Sequence, residues 1–574
     1  MQLAILCLGL MAHAAEGPYA YTGAIELDLR QTPFSRFGSY LSISDLSRYP
    51  EPLRRQGLFL RTLHGGGANA FELQLVHNGS TVPFHTTATP TRLKLASDAG
   101  YVEICFQGPR RLRVRGKRVG LRLSAREDAW AVPYPASRWE VNTSEMKYTL
   151  WPLAGLLDKD VKRGEGGHSN LTMTFGAALS SDIFEAEIDA YTSVWQSHKA
   201  KGTFDEAEEV EREEYNAWLK KMPDVDATFG HGAEVAAYVN WESVVEPSGN
   251  LKRPTMLMSK NWMSSVWSWD QTFNSMAMTL KDPELGWDQF MLPIDVQDKN
   301  GAFPDKWDAD TMAWEFSKPP VHGWALAWML RHHRFEDRTH LQQVYEPLVK
   351  WTNWYFDYRD SNRNGLPEYR HGNESGWDNS TAMRNDGPFE TPDLSAYLVL
   401  QMETLSMVAE RLGKPADARE WKARSEHLLQ AMLARFWRND RFVAFRANDG
   451  SEIDSNSLLL SMPIILGHRL PANVRNQMLK SLASRSAYRT QFGLASEPPL
   501  SSYYTPDGYW RGPIWAPSTM IISEGLDDAG EHEFARSLRE EFCRMAQENG
   551  MAENFNALTG EALRDPAYTW TSSV

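Results

Sequence analysis

The run Asp360-Ser361-Asn362-Arg363-Asn364-Gly365-Leu366-Pro367-Glu368 places oxygen-bearing side chains at loop positions 1, 3 and 5, glycine at 6 and glutamate at 9. That spacing opens a calcium loop, in which Asp360, Asn362 and Asn364 give side-chain oxygens, Leu366 its carbonyl and Glu368 a carboxylate. Position 12 is His371, so this is not a full EF-hand, and a distant carboxylate would have to complete the shell. A polar turn capped by asparagine side chains fits the same residues. Just downstream, Glu374 and Asp378 flank Ser375-Gly376-Trp377. A glycine beside a tryptophan and an acid suits a tight loop that sets a carboxyl group against an apolar wall, which raises its pKa and keeps it protonated as an acid. A helix cap or a surface loop is the plainer reading of that spacing.

Two kinds of element are available to hold these residues. From about Thr22 to Trp195 apolar and polar residues alternate in short runs, as in Ala24 to Leu29, Ala70 to Leu75, Arg111 to Arg115 and Gly120 to Leu123. Period two, broken by Gly, Pro and Asn, predicts half-buried antiparallel strands and a β-sandwich over residues 20–197. A charged segment with apolar residues at helical spacing follows, and predicts a linker helix within 198–227. Helical patterns then recur, at His322 to His333, Gln342 to Tyr358, Leu394 to Leu412 and Asp417 to Phe436. The 347 residues from 228 to 574 allow about 29 per helix and loop across twelve helices. That length suits inner and outer rings of six, an (α/α)6 toroid, and equally an irregular helical domain. The fold class expected is therefore multidomain α and β, an antiparallel β-sandwich followed by a helical catalytic domain.

The chain has 574 residues, 60 basic against 74 acidic, for a net charge of −14. This balance argues against a phosphate-binding stripe, so nucleic acid is not an expected partner. Tryptophan is abundant: of 22, five lie at or before Trp218 and 17 from Trp241 onward. Core packing accounts for large aromatics; stacking on the C–H faces of sugar rings is the sharper reading. Residues 1–15 carry an apolar run ending in Ala12-His13-Ala14, like the core and cleavage site of a secretory signal, though no basic residue precedes it. A secreted or periplasmic location is expected from it. No other stretch is long and apolar enough to predict a membrane span.

Asn364-Gly365-Leu366-Pro367-Glu368-Tyr369 followed by Glu374-Ser375-Gly376-Trp377-Asp378-Asn379-Ser380 resembles the signature of the inverting α-glycosidases of glycoside hydrolase family 63, relatives of the trehalases. Trp267-Ser268-Trp269-Asp270, Asp298 to Asp305, Lys318-Pro319-Pro320, Tyr509 to Pro517 and Glu553 to Glu561 match the family's other loops in order. The resemblance covers roughly residues 228–570 and implies a toroid with its catalytic loops at one end. Inversion needs one carboxylic acid to protonate the leaving oxygen and one carboxylate to activate water, about 6.5–9.5 Å apart. By family position Asp378 is the acid and Glu553 the base. Glu374 is implied to brace the loop or contact substrate.

Trp267, Trp269, Trp377, Trp510 and Trp515 are candidate walls of a sugar pocket, with Asp270 and Arg511 bonding hydroxyls. The branch that cleaves mannosyl- or glucosylglycerate tends to carry His and Gln where this chain has Asp305 and Lys318. That departure turns the expectation toward a disaccharide or oligosaccharide α-glucosidase, with no organic cofactor. An Arg usually follows Asn379-Ser380 sooner than Arg384 does here. Sequons at Asn373 and Asn379 fall inside the proposed site and read as chance occurrences. An inverting disaccharide phosphorylase, needing a cationic phosphate pocket in place of the base, and a carbohydrate-binding protein without catalysis are the alternatives.

Overall fold

The computed structural model describes residues 19–574 except 65–66, 126–128, 164–168, 281, 334, 336–337 and 385, so the expected signal segment lies outside the described residues. Two antiparallel sheets form the N-terminal part. One runs, in spatial order, Leu41–Asp45, Leu58–Thr62, Ala68–His77, Gly120–Ala125, Ser169–Gly176 and Leu156–Arg163, with Ser80–Val82 also paired to Ala68–His77. The other has eight strands: Trp130–Tyr134, Arg138–Asn142, Lys147–Ala154, Ile183–Tyr191, Arg111–Lys117, Gly100–Phe106, Leu93–Ser97 and His85–Ala88. Their apolar faces meet: Phe71 packs edge-on against Tyr148 at 5.0 Å and Phe175 stacks on Phe184 at 6.3 Å. Three of the four alternating runs lie in strands. Ala24 to Leu29 does not, although Ile25, Leu27 and Leu29 are buried as alternation requires. Leu27 reaches one neighbouring carbonyl, that of Ala88, so burial has set the period without a ladder.

Helix α1 (Phe204–Leu219) begins in a capping box: Thr203 Oγ1 accepts from Glu206 N, and Glu206 Oε2 accepts from Thr203 N. It lies on the strands Gly100–Phe106 and Arg111–Lys117. Eleven helices follow: α2 (Gly230–Ser243), α3 (Asp270–Thr279), α4 (Pro283–Asp295), α5 (His322–His332), α6 (Arg338–Tyr358), α7 (Pro392–Arg411), α8 (Pro415–Phe436), α9 (Ala472–Ala483), α10 (Ala516–Asp528), α11 (His532–Asn549) and α12 (Thr569–Ser573). Six segments touch in a closed cycle, α3 to α5 to α7 to the 3-10 segment Leu458–Arg469 to α10 to α12 and back to α3. The other six, α2, α4, α6, α8, α9 and α11, pack on members of that cycle. Sequence explains the division. Every residue of α3 is buried, polar ones included, because Asn274 donates to Gln271 and Thr569 while Gln271 donates to Gln289 and to the Met256 carbonyl. Helices α8 and α11 keep one charged, solvated face.

The two parts are joined by a buried lysine, whose amino group burial pulls down to about 7 against the opposing charge of Glu242. Lys260 Nζ donates to Ser39 O at 2.6 Å, Ser35 Oγ at 3.1 Å, and Arg36 O and Val244 O at 3.2 Å. Beside it lies Glu242, fully buried with neither oxygen hydrogen-bonded, its carboxyl pushed up to about 8 by burial and pulled back by Lys260. Replacing Lys260 by Met should cost about 3 kcal/mol, because the acceptors and the acid lose their one cation. Calorimetry should show the melting temperature several degrees lower; an unchanged value contradicts this account of the junction.

Candidate active site

The motif loops share one topological property: each runs into the N-terminus of a member of the closed cycle. Trp269 precedes α3, Lys318 lies ahead of α5, Asp378 ahead of α7, Trp515 directly before α10, and Glu553 and Asp565 ahead of α12.

Asp378 sits on a loop that folds back on itself. The turn Gly372–Ser375 ends at Gly376 in the left-handed region (φ 72°), where a Cβ would meet the Trp269 ring at 2.6 Å. A Cβ on Gly372 would stand 2.0 Å from the Asp378 carbonyl oxygen. Asn379 fastens this loop to the next one, accepting from Trp510 N at 2.9 Å and donating to Gly508 O at 3.0 Å, which leaves its amide committed within the fold. Glu374 is buried and braces the same loop: Arg359 donates to it at 2.7 and 3.3 Å and Arg370 N at 2.7 Å. Asp378 itself is half-buried, and among the described residues its carboxylate makes no hydrogen bond.

Tyr509 gathers the acids. Its hydroxyl donates to Glu553 Oε1 at 3.1 Å, and its own ionisation is opposed by Glu553, Asp378 and Asp270 together, after burial. Glu553 is buried and its carboxyl is pushed up to about 8, first by burial and then by the charge of Asp565. Asp270 Oδ1 accepts from Tyr568 at 3.3 Å, whereas Oδ2 is buried without a partner; burial raises this acid to about 7 against the pull of Lys318. An unpaired buried acceptor in such a place suits a sugar hydroxyl. Lys318 is committed elsewhere, 3.1 Å from Asp305 Oδ1 and donating to the Asn373 carbonyl at 2.5 Å. Beside Glu553 opens a cleft lined by Arg48, Pro50, Trp262, Met263, Tyr509 and Arg564, so the sheet domain contributes to its wall.

The tryptophans divide differently from the expectation. Trp515 is fully buried and stacks on Trp510 at 3.8 Å with planes 4° apart, while Trp377 lies 4.4 Å from Trp510. Trp269 and Trp570 close the cluster at 6.0 Å. With at most 3% of their surface exposed, Trp269, Trp377, Trp510 and Trp515 back the site and leave little ring face for a pyranose. Trp267 and Tyr509, half-buried, keep accessible surface. Arg511 is also half-buried, with Nε unpaired. Sequence reasoning missed Tyr509, Tyr568, Asp565, Arg48 and Arg564; only Tyr509, inside a quoted motif, carried a local signal.

The expected calcium ligands form a closed turn. Asp360 oxygens accept from Asn364 N and Gly365 N, Asn362 Oδ1 from Asn364 N, and Asn364 Oδ1 from Leu366 N. A distant carboxylate does arrive, Glu390, but it accepts the amide nitrogens of Asn362 and Asn364, both at 2.7 Å, and pairs with Arg435. Glu368 accepts from Ser361. Among the described residues, the acidic and histidine groups close enough to share an ion are Glu187, Asp189 and His198 on the eight-stranded sheet, where Arg113 and Arg111 hold the carboxylates.

A family profile described as the mannosylglycerate hydrolase MGH1-like glycoside hydrolase domain matches residues 263–571. The chain is 22% identical over 390 residues to a mannosylglycerate hydrolase of Thermus thermophilus, covering 54% of this chain and 92% of that one. It is 23% identical over 405 residues to a glucosylglycerate hydrolase of Mycolicibacterium hassiacum, covering 54% and 90%. A bacterial glucoamylase solved with acarbose aligns over 97% of this chain and 95% of its own at a TM-score of 0.58 and 11% identity, a likeness of fold.

Gly372→Ala should push the Asp378 backbone and cost on the order of 100-fold in kcat, as misplacement by about 1 Å does. A steady-state assay checks this, and wild-type kcat would contradict the packing argument. The calcium spacing from Asp360 to Glu368 predicts a higher melting temperature in millimolar calcium than in EDTA, and equal values contradict a site there. A specific site filled at 100 times its Kd would add roughly 2.7 kcal/mol and raise it.

Proposed function

Because this chain belongs to the family of mannosylglycerate hydrolase MGH1-like glycoside hydrolase domains, within glycoside hydrolase family 63, and is thus a glycosidase, we propose that it inverts the anomeric centre of a terminal α-glucosidic bond. In this reading the closed cycle of α3, α5, α7, Leu458–Arg469, α10 and α12 is the inner ring of an (α/α)6 toroid, and its loops form the pocket floor. Asp378 gives its proton to the glycosidic oxygen as the C1–O bond breaks. Glu553 takes a proton from water as the water oxygen bonds to C1 from the opposite face, so the two carboxyl groups end with exchanged protonation. The observation that carries this is Tyr509, which donates to Glu553 and feels Asp378 and Asp270 at once.

A neutral disaccharide or oligosaccharide is the proposed substrate, since Lys318 is engaged by Asp305 and the Asn373 carbonyl and is not free for an anion. A glycerate-bearing substrate, as in the relatives' names, is the second reading, favoured by Arg48 and Arg564 at the cleft. We propose export from the N-terminal apolar run alone.

Asp378→Asn and Glu553→Gln should each lower kcat by about 10²–10⁴-fold with melting temperatures near wild type; full activity in either variant refutes the assignment. Hydrolysis needs Asp378 protonated and Glu553 ionised together, so kcat/KM should be bell-shaped in pH, with one limb near 8 where Glu553 titrates and no plateau at high pH. A panel of trehalose, kojibiose, nigerose, glucosylglycerate and mannosylglycerate decides the aglycone, with a neutral disaccharide expected to have the highest kcat/KM and a glycerate ester analogue or glycerate glycoside in first place overturning that choice.

A further inference from the structure

The base loop is reached from the sheet domain by an unbroken set of hydrogen bonds. Asp565, fully buried, accepts from Ser259 Oγ at 2.6 Å, Asn261 Nδ2 at 3.0 Å, Ala567 N at 3.2 Å, and Trp262 N and Met263 N at 3.4 Å. Its backbone carbonyl accepts the Glu553 N–H at 2.7 Å. Asn261 also donates to Gln31 O and accepts from the Tyr49 hydroxyl, both at 2.8 Å. Arg61, from a strand of the first sheet, donates to Tyr49 Oη at 2.9 Å and to the carbonyls of Lys260 and Asn261 at 3.1 and 2.8 Å.

We propose that Asp565 is a positioning residue for hydrolysis: it anchors the Glu553 loop, presents a fixed negative charge to Glu553, and ties both through Asn261 to Tyr49 and Gln31 of the sheet domain. The inference rests on the reading of Glu553 as base. Burial raises the Asp565 carboxyl, and five donors with no acceptor pull it back toward the anion. Glu553, with Tyr509 as its one side-chain donor, is therefore the member of the pair that takes the proton, and a nearby anion makes it the stronger base. Its carboxyl is pushed up to about 8, with Asp565 the largest influence after burial. The other charged or titratable groups facing the pair are Tyr509, Arg564 and Tyr568 around Glu553, and Tyr49 and Glu242 around Asp565. Asp378 and Asp270 act across Tyr509. Of these, Tyr509 by its hydrogen bond and Arg564 by its charge favour the ionised Glu553.

The test titrates Glu553 directly, in the full chain labelled with [δ-13C]glutamate, using the resonance that disappears in Glu553→Gln. The wild-type midpoint is expected near 8, and in Asp565→Asn it should fall by about one pH unit, a tenfold loss of proton affinity. An unchanged midpoint in folded Asp565→Asn overturns the proposal. Should that variant not fold, Tyr49→Phe keeps the ring and removes the hydroxyl that Asn261 accepts. Hydrogen exchange of the peptide containing the Glu553 amide should then quicken at least about tenfold, and unaltered exchange overturns the proposal as well. Full hydrolysis by Glu553→Gln alongside a shifted midpoint in Asp565→Asn would sink the base assignment and leave the coupling standing.

Discussion

A carboxylate removed from water must be met by donors or by a positive charge, or else it holds a proton. This constraint organises the site. Asp565 meets five donors; Glu553 meets one side-chain donor; Asp270 has one oxygen bonded and one bare; Asp305 has Lys318. Four acids crowded into one region thus differ in what the fold offers them, and their chemical roles differ with it. Acid catalysis and base catalysis on one substrate require that kind of inequality.

The helical architecture makes the inequality possible. Five of the six members of the closed cycle receive, at their N-termini, the loops that carry the acids and the tryptophans. The buried stack of Trp510 on Trp515, with Trp377 and Trp269 around it, is a rigid base for those loops, and Asn379 locks the acid's loop to it. The sheet domain completes the arrangement from the other side. Lys260 draws the chain around Ser35 to Ser39 onto the helical domain, and the next residue, Asn261, bonds Asp565, whose carbonyl accepts the Glu553 N–H. The two parts of the chain are therefore mechanically one near Glu553.

What was legible in the sequence was mostly local. Helices read from His322 to Phe436 coincide with α5 to α8 to within a few residues, because an amphipathic period is set by neighbours a turn apart. The ordered loop motifs could be read because each is a contiguous run. Roles set by distant partners were not legible. Asp565 gained no notice because its side-chain donors Ser259 and Asn261 lie 306 and 304 residues away. The excess of tryptophan suggested sugar platforms, yet Trp510 and Trp515 face each other, a choice that spacing cannot record. The loop from Asp360 has calcium spacing, but the pairing of its Asn362 and Asn364 amides with Glu390, 28 and 26 residues on, is set by the fold and is not written in that spacing. Ala24 to Leu29 alternates because it is buried on one side, with isolated bonds to Ala88 and Asp45 in place of a ladder.

The central claim is that two carboxyl groups act from opposite faces of one sugar, with water attacking in a single displacement. Proton NMR of the anomeric region in the first minutes of hydrolysis of an α-glucoside, before mutarotation, tests it most directly. The account predicts that the β-anomer appears first and the α-anomer only later, at the rate of mutarotation. Initial release of the α-anomer would contradict it, because retention requires a covalent intermediate in place of a single displacement by water.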